Sequence, residues 1–281
     1  MIKSHHPLAH KGFRRTAALL LLAAASAPAS AITFGQLDGT AHPFVGSIVV
    51  SIPGEGVFQW CSGTLISSNV FLTASHCTQP ITQFLLDNPG SQFLVTFDPV
   101  IDTTGTTGTF YTGTPYTNPL YGSGGNGDPH DVAVIVLDSA PPITPATLPT
   151  AGLLDTLKAS HVLQSTRFTA VGYGSTRDSI RKGPQGIDDS NAARQQVDQG
   201  YSSLMSAWVD FSMLPTPANN GGGTCYGDSG GPHFLHVGDV ETTIVVATTI
   251  TGDTQCKSLD KDYRMDTPSA RDFLGQFVTL P

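Results

Sequence analysis

The sequence has few charged residues and little basic character. Only 13% of its 281 residues are charged, which excludes coiled coils and charge-rich disordered chains. The 14 Lys and Arg against 22 Asp and Glu give a formal charge of −8, and no basic cluster follows the N-terminal segment. This acidic balance argues against nucleic-acid binding. Apolar runs beyond the N-terminus, such as residues 132–137 and 244–247, are too short to span a membrane.

Cysteine is also scarce, and the four cysteines lack the paired spacing of a zinc site. Their even number favours two disulfide bonds if the chain is exported to an oxidising compartment. No metal and no organic cofactor is therefore predicted for the chemistry, while a structural calcium in an Asp-bearing loop stays open.

Residues 1–31 have the composition of a secretory signal peptide. Four basic residues precede the almost wholly apolar run 16–25, and residues 29–31 read Ala-Ser-Ala, which is an A-x-A cleavage site. We expect a mature domain of 250 residues, 32–281, outside the cell or in the periplasm. The signal holds four of the basic residues and none of the acidic ones, so the mature formal charge is −12.

Short strand-like runs separated by Gly, Pro and Asn dominate the rest of the chain. They are residues 45–52, 58–66, 70–73, 93–97, 132–137, 167–173, 208–214, 242–250 and 263–265. Helices are predicted only at residues 153–161 and at the C-terminus, where Thr267 is a candidate cap and Pro268 follows. Residues 103–128, 175–199 and 218–223 are predicted loops. The pattern favours an all-β sandwich or a pair of barrels.

Three separated segments together supply the parts of a nucleophilic serine site. Residues 225–232 read Cys-Tyr-Gly-Asp-Ser-Gly-Gly-Pro, residues 73–77 read Thr-Ala-Ser-His-Cys, and residues 130–137 read His-Asp-Val-Ala-Val-Ile-Val-Leu. A serine hydroxyl needs a base to attack at neutral pH, and the base needs an acid that orients it. His76, Asp131 and Ser229 supply one of each, in that chain order.

These segments resemble the signatures of the chymotrypsin-like (trypsin-fold) serine proteases, in particular secreted members of bacterial type. The resemblance runs from residue 32 to the C-terminal helix. It implies two antiparallel six-stranded β-barrels with a short C-terminal helix. It also implies that His76 is the general base, Asp131 the orienting acid and Ser229 the nucleophile, with the N–H groups of Gly227 and Ser229 forming the oxyanion hole.

These segments also admit other interpretations. Asp131 is preferred to Asp128 and Asp138 because it directly precedes the apolar strand. The Gly-Asp-Ser-Gly-Gly run also fits the G-x-S-x-G elbow of esterases and lipases, in which the acid and then the histidine follow the serine. The histidines after Ser229 are His233 and His236, which lie too close in sequence to leave room for an intervening acid element. A non-catalytic binding protein on the same fold stays open. Ser75 departs from the alanine usual in the family.

The resemblance also implies two disulfide bonds and an ion pair. Cys61 would bond to Cys77 beside the base, and Cys225 to Cys256 beside the nucleophile. Signal cleavage would expose Ile32, whose ammonium would pair with Asp228. We expect signal peptidase itself to make this active terminus, with no separate propeptide.

The specificity pocket is expected at four positions. Gly223 would lie at its base in place of the aspartate of trypsin-like members, followed by Thr224, and Gly252 would lie at its entrance. This favours an uncharged side chain before the cleaved bond. Lys261 would favour acidic substrates if it faced the floor, although a solvated lysine explains it better.

The sequence therefore predicts a monomeric, secreted serine endopeptidase acting on polypeptides, with no nucleic-acid partner and no membrane contact after signal cleavage. Thr249 is a candidate for the family's serine that supports the acid.

Overall fold

The structure, a computed structural model, describes residues 32–177, 182–215 and 221–281. The predicted signal peptide, and parts of two predicted loops, lie outside these residues. Two antiparallel β-sheets dominate the described chain, each built from one half of it.

The first half forms a six-stranded antiparallel sheet in the order β5-β2-β3-β4-β7-β6. The six strands of this sheet are β2 (Val45–Ile52), β3 (Gly56–Leu65), β4 (Val70–Thr73), β5 (Gln92–Thr96), β6 (Gly113–Thr117) and β7 (Ala133–Leu137). Strand β1 (Gln36–Leu37) precedes them in the chain and pairs in the other sheet. An isolated bridge between Val95 and Tyr111 brings the two edges together. Apart from this single bridge, no strand pairing joins β5 to β6 in the described residues, so the sheet is a half-barrel.

The second half closes into a six-stranded barrel, because β11 pairs with both β12 and β8. Its strands, with a small hairpin of β9 and β10, are β8 (Arg167–Gly172), β9 (Thr176–Arg177), β10 (Ile187–Asp188), β11 (Gln195–Leu204), β12 (Trp208–Ser212), β13 (Pro232–Val237), β14 (Val240–Gly252) and β15 (Leu259–Arg264). Strand β1 adds to the edge of β11. The predicted all-β fold is confirmed, as one closed barrel and one half-barrel.

The helices of the described chain are short. They are α1 (Ser75–Thr78), α2 (Ile81–Asp87), α3 (Leu153–Ala159) and α4 (Pro268–Leu274). Helix α4 begins as predicted, with the Thr267 side chain accepting the N–H of Ala270 and Pro268 in the first turn. None of these helices is long and apolar enough to cross a membrane.

Apolar packing fills each sheet and the space between them. One buried cluster includes Phe71 and Ile135 of the half-barrel, and a second includes Phe168 and Phe211 of the closed barrel. A third cluster combines residues from both halves, such as Val45 and Phe234. This shared core fixes the two halves against each other and so positions the loops that meet at their junction.

A buried arginine also joins the halves. Arg194 is 1% exposed and its Nε donates to Asp38 at 2.6 Å. Its Nη1 lies within hydrogen-bond distance of the carbonyl oxygens of Val45 and Phe97 and of the Tyr173 hydroxyl, and its Nη2 donates to the Gly39 carbonyl. Because this buried cation forms an ion pair with Asp38 and donates to several further acceptors, the guanidinium stabilises the junction instead of being an unpaired charge.

Candidate active site

The histidine lies on a single helical turn at the end of an apolar strand. Strand β4 is fully buried and leads directly into α1, which carries His76. The side chain of His76 is 30% exposed, so it faces an accessible cleft. The neighbouring Ser75 hydroxyl donates to the carbonyl of Val132 at 2.8 Å and accepts the N–H of Asn118 at 3.2 Å. Ser75 thereby ties the histidine turn to the aspartate segment, which gives this departure from the family pattern a structural role.

The aspartate holds the histidine through both of its carboxylate oxygens. Asp131 Oδ2 is 2.9 Å from His76 Nδ1, and Oδ1 accepts the backbone N–H of His76 at 3.0 Å. Asp131 is only 3% exposed. A hydrogen bond at Nδ1 orients the ring and leaves Nε2 free to accept a proton.

The loop before Asp131 is anchored to the other half of the molecule. Both carboxylate oxygens of Asp128 accept hydrogen bonds, from the Tyr263 hydroxyl at 2.6 Å and the Ser269 hydroxyl at 2.7 Å. His130 has a φ of +55°, a left-handed conformation uncommon outside glycine. These contacts fix where Asp131 emerges, and neither Tyr263 nor Ser269 carries a sequence signal that would have predicted this role.

The serine loop packs directly against the histidine segment. The carbonyl of Ser229 accepts the N–H of Ser62, next to Cys61 in strand β3, at 2.9 Å. A Cβ added to Gly230 would lie 2.2 Å from the Thr73 hydroxyl and 2.9 Å from the Ala74 nitrogen. Gly230 is therefore required for the close approach of the two segments, and Ser229 is half-buried beside a cavity.

Two N–H groups of this loop are available to a bound oxygen. The N–H groups of Asp228, Gly230 and Gly231 donate to backbone carbonyls, whereas those of Gly227 and Ser229 donate to no acceptor among the described residues. Gly227 has a φ of +91°, and its carbonyl accepts Gln59 Nε2 at 2.7 Å and the Ser62 hydroxyl at 3.0 Å. These contacts hold the loop conformation that presents both N–H groups.

Both expected disulfide bonds form. Cys61 is bonded to Cys77, and Cys225 to Cys256. The first joins strand β3 to the turn that carries His76, and the second joins the nucleophile segment to the turn after β14. Each constrains a catalytic segment, with a stabilisation of roughly 2–4 kcal/mol.

Asp228 is a buried carboxylate whose hydrogen-bond donors are neutral. It is 0% exposed and accepts the N–H groups of Gly174 at 2.8 Å and Cys225 at 2.9 Å. Burial raises the pKa of Asp228 to about 7. Ile32 is also fully buried, and the next residue, Thr33, pairs with Gly223. No Lys, Arg or His in the described chain forms an ion pair with Asp228.

A cavity of about 150 Å³ opens beside Ser229. Of the residues expected there, Thr224 and Gly252 line this cavity and Gly223 does not. Asp260, which the sequence did not single out, also lines it. Lys261 does not: its Nζ lies 4.7 Å from the centre of the Trp208 ring, and it is absent from the lining. The possibility that Lys261 faces the pocket floor is corrected, because alternation along β15 buries Asp260 on one face and directs Lys261 to the other.

The candidate support for the acid is not in contact with it. The Thr249 hydroxyl is buried and has no hydrogen-bond partner among the described residues. The contacts of the Asp131 carboxylate come instead from the His76 backbone and ring.

Two clusters of described side chains contain residue types that can bind a metal ion. In the group of Cys61, His76 and Cys77, the disulfide bond occupies both sulfur atoms. In the group of Asp198, His236 and Glu241, His236 Nδ1 is buried and has no partner among the described residues. A metal-bound imidazole needs an acceptor for its other N–H, so neither group is assigned a metal.

The family model described as Trypsin matches residues 35–271 of the sequence. The chain belongs to the trypsin family. No curated protein sequence matches it significantly.

Solved structures of this family share the fold at low identity. A structure named HL collagenase aligns with a TM-score of 0.60 and 16% identity, over 87% of this chain and 97% of that one. A mutant of human heparin binding protein aligns with a TM-score of 0.59 and 20% identity, over 87% and 96%. At these identities the likeness shows the trypsin fold and leaves a bacterial origin a prediction.

Proposed function

We propose that this trypsin-family chain is a secreted serine endopeptidase with the triad His76, Asp131 and Ser229. The observation that carries the proposal is the pair of hydrogen bonds between His76 and the buried Asp131. The nearby serine loop adds two N–H groups, those of Gly227 and Ser229, that donate to no acceptor among the described residues. An imidazole held in this way is oriented to act as a base. The two disulfide bonds are consistent with an oxidising compartment outside the cytoplasm.

In the first half of the reaction, Ser229 attacks the peptide carbonyl while His76 Nε2 removes the hydroxyl proton. Asp131 keeps the Nδ1 proton in place and stabilises the imidazolium that forms. The negative oxygen of the tetrahedral intermediate lies against the N–H groups of Gly227 and Ser229. The imidazolium then gives its proton to the leaving amine, and an acyl-enzyme ester remains on Ser229.

In the second half, water replaces the amine. His76 accepts a proton from the water as it attacks the acyl ester, and a second tetrahedral intermediate occupies the same oxyanion site. When the intermediate collapses, the proton returns to the Ser229 oxygen and the carboxylic acid product leaves. The residues therefore complete a hydrolytic cycle without a cofactor.

A polypeptide in extended conformation is the proposed substrate, and a monomer the proposed active species. The HL collagenase neighbour is named for hydrolysis of a polypeptide, which agrees with this substrate class. The other neighbour is named for binding heparin, and a non-catalytic binding role on the same fold is the alternative.

Direct hydrolysis distinguishes these roles. The purified protein beginning at Ile32 is incubated with an unfolded polypeptide, and the new N-termini are identified by mass spectrometry. We expect cleavage at defined internal bonds. An intact polypeptide after prolonged incubation would favour the binding role instead.

We propose that cleavage before Ile32 supplies the cationic partner of Asp228. Burial raises the pKa of Asp228 to about 7 in the uncleaved chain. A carboxyl whose folded pKa lies above its unfolded value loses stability as pH rises from about 4 to about 7. An ammonium at Ile32 would hold the carboxylate ionised and remove this loss.

The prediction compares the protein that begins at Ile32 with one that retains Ala31. At about pH 7.5 the Ile32 form is expected to be more stable to unfolding by urea, by on the order of 3 kcal/mol. At about pH 4, where Asp228 is protonated in the retained form, the difference should largely vanish. The Ile32 form should also hydrolyse peptides faster, because the ion pair supports the oxyanion loop. Equal activity and an equal urea midpoint at both pH values would refute the pairing.

The preference for an uncharged side chain before the cleaved bond stays a prediction that rests on Gly223. It takes no account of Asp260, which shares the pocket.

A further inference from the structure

The pocket beside Ser229 contains a buried carboxylate whose hydrogen-bond donors are all neutral. Asp260 is 1% exposed. Its Oδ2 accepts the N–H of Thr224 at 2.9 Å and also the side-chain amide of Gln199, while its Oδ1 accepts the Thr224 hydroxyl at 2.8 Å. Oδ1 thus has capacity for a further donor. These contacts fix the carboxylate in the wall of the cavity.

Gly223 provides the space that Asp260 occupies. A Cβ added to Gly223 would lie 2.6 Å from Asp260 Oδ2 and 2.4 Å from Gln199 Nε2. No side chain fits at residue 223 while Asp260 holds this position. Gly223 therefore does not indicate an uncharged pocket, since it makes room for an acidic group from strand β15.

No cation from the described chain neutralises this carboxylate. The titratable groups around it are Asp228 on the nucleophile loop, Asp253 in the turn after β14, Asp262 on β15 itself, and His233 of β13, which reaches it through Gln199. Burial lowers the pKa of His233 to about 3, so this ring is neutral. Burial also raises the pKa of Asp262 well above its usual range, which favours its neutral form.

The one lysine beside Asp260 in sequence faces away from it. Lys261 lies over the Trp208 ring on the opposite face of β15. An ionised Asp260 is therefore a buried anion without a cationic partner in the described chain, a state that a cationic ligand would stabilise strongly.

We propose that an ionised Asp260 makes this pocket select the Lys or Arg side chain of a polypeptide substrate at the residue before the cleaved bond, whereas a protonated Asp260 leaves it selective for uncharged side chains. The inference rests on the proposed peptidase function. It assigns the specificity of the pocket to Asp260 on β15 and makes the preference depend on pH.

The pH range follows from the environment of Asp260. Burial raises its pKa to about 6, and the negative charge of Asp253 adds to the effect, while the hydrogen bonds from Thr224 and Gln199 oppose it. Below about pH 6 the carboxyl is neutral and an ammonium has no counter-charge. Above it the carboxylate is ionised, so the preference for a basic side chain increases with pH.

The test uses two peptides that differ only before the cleaved bond, with Lys in one and norleucine, an uncharged residue of similar length, in the other. The ratio of their kcat/KM values is measured between about pH 5 and about pH 8. Any effect of pH on the catalytic steps that is common to both peptides cancels in the ratio. We expect the Lys/norleucine ratio to rise at least tenfold across this range.

Three variants make the test specific. In Asp260→Asn the ratio should be low and independent of pH. Thr224→Val removes a hydrogen bond to Asp260 and should move the midpoint of the transition to higher pH, which keeps the test decisive if Asp260→Asn does not fold. Lys261→Gln, a one-charge change on the outer face of the same strand, should keep the wild-type profile.

A ratio that is flat with pH in the wild type, or a pH-dependent ratio that persists in Asp260→Asn, would overturn the proposal. A second measurement does not depend on catalysis. The affinities of Ser229→Ala for product peptides that end in Lys or in norleucine are measured by calorimetry. Absence of hydrolysis of both peptides would refute the peptidase function. The calorimetric ratio, expected to rise with pH in the same way, would still decide whether Asp260 selects a cation.

Discussion

Replacement of Ser229 by alanine is expected to lower kcat for peptide hydrolysis by roughly 10⁵–10⁶-fold. In the proposed mechanism the Ser229 hydroxyl is the group that forms the acyl bond. Binding should survive, because the cavity and the two N–H groups of the oxyanion site do not depend on the Ser229 side chain. Steady-state kinetics with a fluorogenic peptide measures the loss.

The same variant should fold as the wild type does. The Ser229 carbonyl makes the contact with Ser62, and alanine preserves it. The free energy of unfolding is expected to stay within about 0.5 kcal/mol of the wild-type value. Hydrolysis retained at a tenth of the wild-type rate in a preparation free of other proteases would refute the role of Ser229.

Replacement of Asp131 by asparagine is expected to lower kcat by roughly 10⁴-fold. The amide can still accept the His76 N–H through its oxygen, but its NH₂ group would face Nδ1. It would then donate to Nδ1 and shift the ring proton to Nε2, where the base must be unprotonated. Pre-steady-state kinetics of the acylation step would detect this effect directly.

Asp138→Asn is the matched control for Asp131→Asn. Asp138 lies at the other end of the same strand, is exposed, and contacts Thr112. Loss of its charge should leave kcat within twofold of the wild type. An equal loss of rate in both variants would mean that general electrostatics, and not the orientation of His76, explains the effect.

The strands of the half-barrel could be predicted because their burial follows directly from apolar runs. Strands β2 (Val45–Ile52) and β4 (Val70–Thr73) have the predicted bounds, and α4 begins at the predicted cap. The sequence predicts a loop over residues 175–199, which includes the first part of strand β11 (Gln195–Leu204), because that segment is polar. Its inward residue Gln199 is fully buried and hydrogen-bonds to His233 and Asp260, so the polar pattern that hid the strand is part of a buried network.

The residues of the proposed triad can be singled out in the sequence because each lies in a short segment with its own composition. The pocket cannot, since its chemistry depends on which face of β15 each residue occupies. The sequence run Asp260, Lys261 and Asp262 leaves two registers open, one of which would direct Lys261 into the pocket. Strand pairing with β12 and β14 sets the register that buries both aspartates, and no local pattern specifies that pairing.

Labelling with a serine-directed phosphonate tests the central claim most directly. The native protein beginning at Ile32 is treated with the reagent, digested and analysed by mass spectrometry. We predict one stoichiometric adduct on Ser229, which is lost when the protein is unfolded before treatment and is slowed greatly in His76→Ala, because the hydroxyl reacts only when His76 removes its proton. A native, folded protein with no adduct on Ser229 would contradict the assignment of His76, Asp131 and Ser229 as a catalytic triad.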